Sequence, residues 1–281
     1  MIPTFVIFLR EGIEAAMIVA ILLAYLKRVG QRHLFSDVYW GVGAAFGLIL
    51  AGGIAAYLLI DQYSGSNIQT YFETATYLLA ATILTYMTFW MQSHARGLSG
   101  ELQQKSDLAI SEGGRWGLRL LSFQAVGREG LETMVFTLAI IFANSKQAAV
   151  PVHGKLLWLG ALLGLATALA IAFGIYRMGA RINLQLFFRV LGVALFIFAA
   201  GLLADAIQNM QDLNWLPFMH HQLWNSSGLI QEGSNFGDVL HSLVGYAERP
   251  TTLQALVWVT YMIAGTTLFL RMGRRKKPVS V

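Results

Sequence analysis

The chain has 281 residues, of which 56% are hydrophobic and only 12% charged, with a formal net charge of +5 and a mean hydropathy of +0.57. A soluble domain carries about 25% charged residues, so this composition excludes an ordinary water-soluble globular protein and indicates an integral membrane protein. There is no cysteine, which excludes disulfides, thiolate ligands and cysteine nucleophiles and leaves any metal to carboxylate, imidazole, carbonyl or water, a donor set suited to hard cations.

Seven apolar segments are long enough to span a bilayer: 2–26, 38–60, 71–92, 117–142, 155–178, 186–208 and 252–271. The five prolines, Pro3, Pro151, Pro217, Pro250 and Pro278, fall at segment ends or between segments, so unbroken helices are expected. The first segment carries Arg10, Glu11 and Glu14, which interrupt what would be the apolar core of a secretory signal, so it is expected to stay as the first membrane helix. In the second, Gly43 and Gly47 place small residues on one face, a hint of close packing, and Asp61 ends it. The third opens on Tyr71-Phe72-Glu73-Thr74-Ala75, with a carboxylate flanked by apolar residues. The stretch 93–116 sets Glu101, Asp107 and Glu112 among Leu98, Leu102, Leu108 and Ile110, the pattern of a short interfacial helix.

The fourth segment repeats the first one's charges as Arg128-Glu129-Gly130-Leu131-Glu132, with Gln124 four residues before the arginine. The fifth carries Gly160 and Gly164, again spaced for close packing. Asp205 lies near the end of the sixth. The longest connection, 209–251, holds His220, His221 and His241 with Trp215, Phe218 and Trp224, and reads as a partly ordered loop with interface-seeking aromatics in preference to a metal or partner site.

Orientation follows from the basic residues. With the N-terminus outside, the inner connections hold Lys27, Arg28, Arg32, Arg96, Lys105, Arg115, Arg119, Arg177, Arg181, Arg189, Arg271, Arg274, Arg275, Lys276 and Lys277, fifteen in all. The outer connections hold only Lys146, Lys155 and Arg249. This asymmetry gives an N-out, C-in topology, and the scatter of basic residues over helix ends argues against nucleic acid as a partner. Helices 1 (inward) and 4 (outward) then carry the same charged pentapeptide at the same depth. Helices 1–3 (2–92) and 4–6 (117–208) read as a 3+3 inverted-topology repeat, followed by the outer loop and helix 7, within a single transmembrane domain over 1–281. The expected fold class is an all-α integral membrane protein.

Six ionised side chains at mid-membrane, at about 2.5–3.5 kcal/mol each, would together cost roughly 15–20 kcal/mol if left unpaired. They are therefore expected to pair and to serve a polar substrate. Glu11 and Glu14 are i, i+3 neighbours on one helix face, as are Glu129 and Glu132, while Arg10 and Arg128 stand i, i+4 to the second glutamate of their own helices. Facing motifs would bring together four carboxylates and two guanidiniums, a net charge of −2 that attracts a multivalent cation. Gly12 and Gly130 would permit close approach of a helix or a partly dehydrated ion. Purely structural salt bridges leave the second carboxylate of each motif unexplained, and a di-iron carboxylate enzyme would use Glu-x-x-His, absent from both motifs. Asp61, Glu73 and Asp205 fall on the outer side and form a possible entry funnel, with Glu73 the strongest of the three. Tyr86, Met87, Trp90 and Met91 read as packing and interface anchors in preference to ligands.

The doubled Arg-Glu-Gly-x-Glu, with Leu9 to Ala16, Phe72-Glu73, Thr85 to Met91 and Gly127 to Glu132, resembles the signature of the oxidase-dependent iron transporters, the family of the bacterial Efe-type and fungal high-affinity iron permeases. The resemblance implies iron uptake across the cytoplasmic membrane by a multi-pass permease, not an enzyme. Its glutamates would handle iron as the transported substrate, with no bound organic cofactor, beside a periplasmic or extracellular iron oxidase or iron-binding partner. Residue types alone leave Fe²⁺ or Fe³⁺ open, along with another cation such as Mn²⁺ or Pb²⁺, proton exchange, and a non-conducting membrane metalloenzyme or metal sensor.

Overall fold

The computed structural model describes residues 1–63, 65–94, 98–145, 153–178, 184–231 and 234–274. Among them the chain forms eight α-helices: α1 (Ile2–Arg28), α2 (Phe35–Gln62), α3 (Asn67–His94), α4 (Leu98–Ser145), α5 (His153–Met178), α6 (Leu184–Asp212), α7 (Asn235–Val244) and α8 (Thr252–Arg274). Apart from an isolated bridge between Gln222 and Thr251, no β-pairing occurs among the described residues. Four helices contain stretches long and apolar enough to cross a membrane by themselves, in Arg32–Leu58, Leu157–Gly174, Val190–Asp212 and Thr252–Phe269. The protein is therefore an all-helical membrane protein. The long helices outside this group, α1, α3 and α4, have polar and charged side chains among their apolar ones, among them the buried Glu11, Glu14, Glu73, Glu129 and Glu132.

The helices pack in pairs. α1 lies chiefly on α5, α2 on α4 and α3 on α6, while α1 also meets α4 and α8 flanks α6. Ile7, Tyr77, Leu84, Phe136, Ile140, Leu195, Phe198 and Leu202 form the main buried cluster, drawn from α1, α3, α4 and α6. A second cluster joins Leu22, Leu26, Leu34, Val38, Leu102 and Leu118. Outward faces of α2 and α5 expose Trp40, Phe46, Leu48, Trp158, Leu162 and Phe173, the surface of a protein whose surroundings are hydrocarbon.

The stretch after α3 does fold as a helix, the first part of α4. Gly114 interrupts it with φ 52° and ψ −130°, a conformation that favours glycine. The chain turns back there, so that a Cβ on Gly117 would collide with the carbonyl of Ala109. The early part of α4 is thereby folded onto the end of α1, where the Tyr25 hydroxyl hydrogen-bonds Asp107. Nearby, buried Asp37 accepts hydrogen bonds or ion pairs from Arg119 at 2.7 Å and Arg115 at 3.3 Å.

The glycine expectations divide. Gly160 and Gly164 do pack closely, the first against the carbonyl of Met1 and the second 2.6 Å, by its missing Cβ, from the carbonyl of Phe5. A Cβ on Gly43 or Gly47 would meet no atom of another element within 4 Å among the described residues. The close contact on α2 is made instead by Gly41, against the carbonyl of Arg119.

The outer stretch is more ordered than its composition suggests. Backbone hydrogen bonds from Leu223 to Pro250 (3.0 Å), Ser226 to Glu248 (2.9 Å) and Thr252 to His221 (2.9 Å) fold it back on itself. Within it lies α7, capped at its start by the Ser234 hydroxyl accepting from the Gly237 amide at 3.0 Å, and ended by Gly245 in the left-handed conformation (φ 71°). Its C-terminal end reaches deep: the backbones of Gly245 and Gly201 touch, with no room for a methyl on either. Gly201 lies eleven residues before the end of α6, about 16 Å along the helix axis. The Trp258 indole donates to the Val244 carbonyl at 2.8 Å and fixes that end from α8.

Candidate metal-handling site

The two charged motifs meet. Glu11, Glu14 and Glu129 each present a carboxylate oxygen, all within 4.8 Å of one another, and all three residues are buried. Glu132, also buried, stands beside Glu14. The i, i+4 geometry operates in both helices: Arg10 Nε lies 3.1 Å from Glu14, and Arg128 Nε lies 3.1 Å from Glu132. Arg10 also grips Glu11 at 2.6 Å. The pairs engage Oε1 of Glu11, Glu14 and Glu132, while Oε2 of Glu11, Glu129 and Glu132, and Oε1 of Glu14, are buried without a hydrogen-bond partner. Buried carboxylate oxygens normally find donors; oxygens left over in one place are a donor set for a cation.

The two arginines are not equivalent. The side chain of Arg10 is 4% exposed and feels all four glutamates. That of Arg128 is 46% exposed, its Nη2 lies 3.1 Å from the Met87 sulfur, and its guanidinium lies 5.3 Å from the centre of the Trp90 ring. Met87 and Trp90 are therefore supports for Arg128, and Tyr86 is exposed. Met91 has its side chain outside the described residues. Gln124 is exposed and makes no described hydrogen bond to the motif, because it lies on the outward side of α4.

Each motif glycine touches a neighbouring helix. A Cβ on Gly12 would lie 2.8 Å from the Cβ of Ala168 on α5, and one on Gly130 would collide with Ile49 on α2. The glycines let α5 and α2 close over the motifs from behind.

Glu73 is buried on α3, where Gln69 donates to it at 2.8 Å. Asp205 is buried too, with His241 Nε2 3.7 Å away. The Asp61 side chain lies outside the described residues. His220 and His221 are exposed. Two buried hydroxyls that the sequence did not single out, Thr4 and Tyr77, lack partners; their signal was position, since Thr4 shares the face of Glu11 seven residues on, and Tyr77 follows Glu73 by one turn.

Compared with known proteins, residues 1–274 match the iron permease FTR1 family. The chain belongs to that family. It is 36% identical over 276 residues to the ferrous iron permease EfeU of Escherichia coli O6:K15:H31, covering 96% of this chain and 95% of that one. It is 33% identical over 274 residues to the ferrous iron permease EfeU of Yersinia pestis, covering 96% and 93%. No solved structure matches it. The family consists of iron permeases, so iron transport across a membrane is the activity of this chain.

Proposed function

We propose that the protein imports iron across the cytoplasmic membrane and that the ion passes through Glu11, Glu14, Glu129 and Glu132 where α1 meets α4. The observation that carries this reading is the convergence of carboxylate oxygens from Glu11, Glu14 and Glu129 within 4.8 Å inside the helical bundle. With Arg10 and Arg128 counted, the cluster carries a formal charge of −2. An entering ion exchanges its hydration shell for carboxylate oxygens. The arginines hold one oxygen of their paired acids and leave the other for the ion.

The same proposal includes seven spans, α1 to α6 and α8, with N-out, C-in topology and a 3+3 inverted repeat in one domain. Helix packing supports it. Exchanging α1 with α4, α2 with α5 and α3 with α6 turns the α1–α5 contact into the α4–α2 contact and leaves α3–α6 and α1–α4 unchanged. The correspondence extends to single residues. Gly12 on Ala168 pairs with Gly130 on Ile49, and Gly160 on the Met1 carbonyl pairs with Gly41 on the Arg119 carbonyl, with partners 118 or 119 positions apart.

In this topology Arg10 lies on the outer side of the glutamates and Arg128 on the inner side. A buried Arg10 and a half-exposed Arg128 describe a site closed to the outside and open inward. Exchanging the conformations of the two halves opens it outward. Glu73 and Asp205, with Asp61, stand on the way in. A periplasmic iron-binding or iron-oxidising protein supplies the ion.

Uptake of radioactive iron by proteoliposomes tests the reading. Glu11→Gln, Glu14→Gln, Glu129→Gln and Glu132→Gln are each expected to abolish accumulation in protein that inserts normally. Undiminished uptake by any two of them would reject the site.

A further inference from the structure

The acids of the central site leave acceptors over, and one buried donor among them is left over as well. Arg10 donates from Nη1 to Glu11 Oε1 at 2.6 Å, and its Nε lies 3.1 Å from Glu14 Oε1. Its third nitrogen, Nη2, is buried and has no hydrogen-bond partner among the described residues. A guanidinium is planar and rigid, so Nη2 cannot turn elsewhere while the other two nitrogens stay with their acids. It is therefore held inside the cluster, where all four glutamates act on this cation. The equivalent nitrogen of Arg128 is engaged, 3.1 Å from the Met87 sulfur, so the leftover donor is a feature of the buried arginine.

Leftover donors and leftover acceptors in one place call for an occupant with both characters. A bare cation would satisfy Oε2 of Glu11, Glu129 and Glu132 but would set its charge against an unpaired N–H. A cation that keeps one water satisfies both, because the metal takes carboxylate oxygens while the water oxygen accepts from Nη2. The ligand count agrees. Glu11, Glu14 and Glu129 offer one oxygen each, and Glu132 stands beside Glu14. Four such oxygens fall about two short of the six that a hard ion takes in an all-oxygen site. Charge decides what the further ligand is. A divalent ion cancels the formal −2 of the cluster, so a neutral water leaves the buried site neutral, whereas an oxyanion would make it negative again.

We propose that the ion passes the four glutamates with one of its own water molecules attached, and that Arg10 is the positioning residue that holds this water through Nη2. The arrangement serves transport. An ion stripped of its whole shell must be bound tightly to offset the loss, and a tightly bound ion does not leave. A retained water lowers the cost of dehydration and gives the metal a ligand that exchanges when the site opens inward. The role also separates two arginines that the motif alone makes equal. Arg128 orients Glu132, whereas Arg10 orients its acids and the water of the ion.

The proposal rests on the permeation reading above, and the test separates the two. The full chain in nanodiscs is loaded with Mn²⁺ as a ferrous surrogate and examined by electron–nuclear double resonance in ¹⁷O-enriched water. Bicarbonate labelled with ¹³C forms a second arm and ¹⁵N-arginine a third. Wild type is expected to show directly bound ¹⁷O, no ¹³C coupling, and a guanidinium ¹⁵N within about 5 Å of the metal. Arg10→Lys keeps the charge but lacks the planar fork. It is expected to bind Mn²⁺, to lose the ¹⁵N coupling and to exchange its bound water about tenfold faster, read by ¹⁷O relaxation. Absence of bound ¹⁷O in wild type would overturn the held water, and a ¹³C coupling would replace it with an oxyanion; neither result needs a variant. An unchanged exchange rate in correctly inserted Arg10→Lys would overturn it too. The double variant Glu11→Gln, Glu14→Gln is expected to lose the ion altogether, and Mn²⁺ retained there with unchanged couplings would instead overturn the central site.

Discussion

Removing Arg10 and removing Arg128 are expected to have very different consequences, although the two residues occupy the same position of the same motif. Arg10 is buried, grips Glu11 at 2.6 Å and reaches Glu14 at 3.1 Å. Arg10→Met leaves both carboxylates without their cation and takes the cluster from −2 to −3. Breaking a buried pair by deleting one partner costs about 3–5 kcal/mol. Arg128 reaches Glu132 at the same 3.1 Å, but about half of its side chain is exposed. A pair screened in this way contributes about 0–1 kcal/mol, and the contact with the Trp90 ring adds roughly 0.5–1 kcal/mol. Arg128→Met should therefore cost only about 1–2 kcal/mol. In thermal unfolding of detergent-solubilised protein, the Arg10 variant should melt on the order of 10 °C lower and the Arg128 variant only a few degrees lower. The double variant Arg10→Met, Glu11→Gln, which removes the charge excess with the arginine, should recover most of the loss. Equal destabilisation by the two arginine variants, or no recovery in the double, would refute the reasoning from burial.

Gly43→Ala and Gly47→Ala should change stability by no more than about 0.5 kcal/mol, since a Cβ on either meets no other element within 4 Å among the described residues. Gly41→Ala and Gly160→Ala, each facing a backbone carbonyl that cannot move aside, should cost about 1–3 kcal/mol in the same melts. Gly12→Ala should separate α1 from α5 and reduce iron uptake, and Ala168→Gly in the same chain should restore it, because the clash at 2.8 Å is with the Ala168 methyl. Asp37→Asn should destabilise the protein by about 1–3 kcal/mol, read in the same melts, as it strips Arg119 and Arg115 of a buried partner.

The central features were legible because they obey local rules. An arginine four residues before a glutamate will meet it in any helix, and both motifs do so at the same 3.1 Å. That the motifs would converge could be argued from cost alone, since isolated charges at that depth are not tolerated. The features that escaped depend on tertiary position. α7 has ten residues inside a long polar connection, so its periodicity is too short to distinguish it from loop, and its depth is set by Gly201 and Gly245, 44 positions apart. Which glycine of α2 packs is decided by where Arg119 falls on α4, so Gly41 carries the contact that the regular spacing of Gly43 and Gly47 seemed to promise. The contact of Asp205 with His241 joins α6 to α7 across 36 positions, and no local pattern announces it. The helices least able to pass as membrane spans on composition, α1, α3 and α4, are the ones that carry the buried glutamates, since buried charge lowers a helix's hydropathy.

The central claim is that iron rests among the acids of α1 and α4. Locating the metal by anomalous scattering at the iron edge, in protein loaded with iron, tests it most directly. The result expected is a peak bounded by Glu11, Glu14 and Glu129, within reach of Glu132, and lost in Glu14→Gln. Iron found only elsewhere, with the four carboxylates empty, would contradict the account.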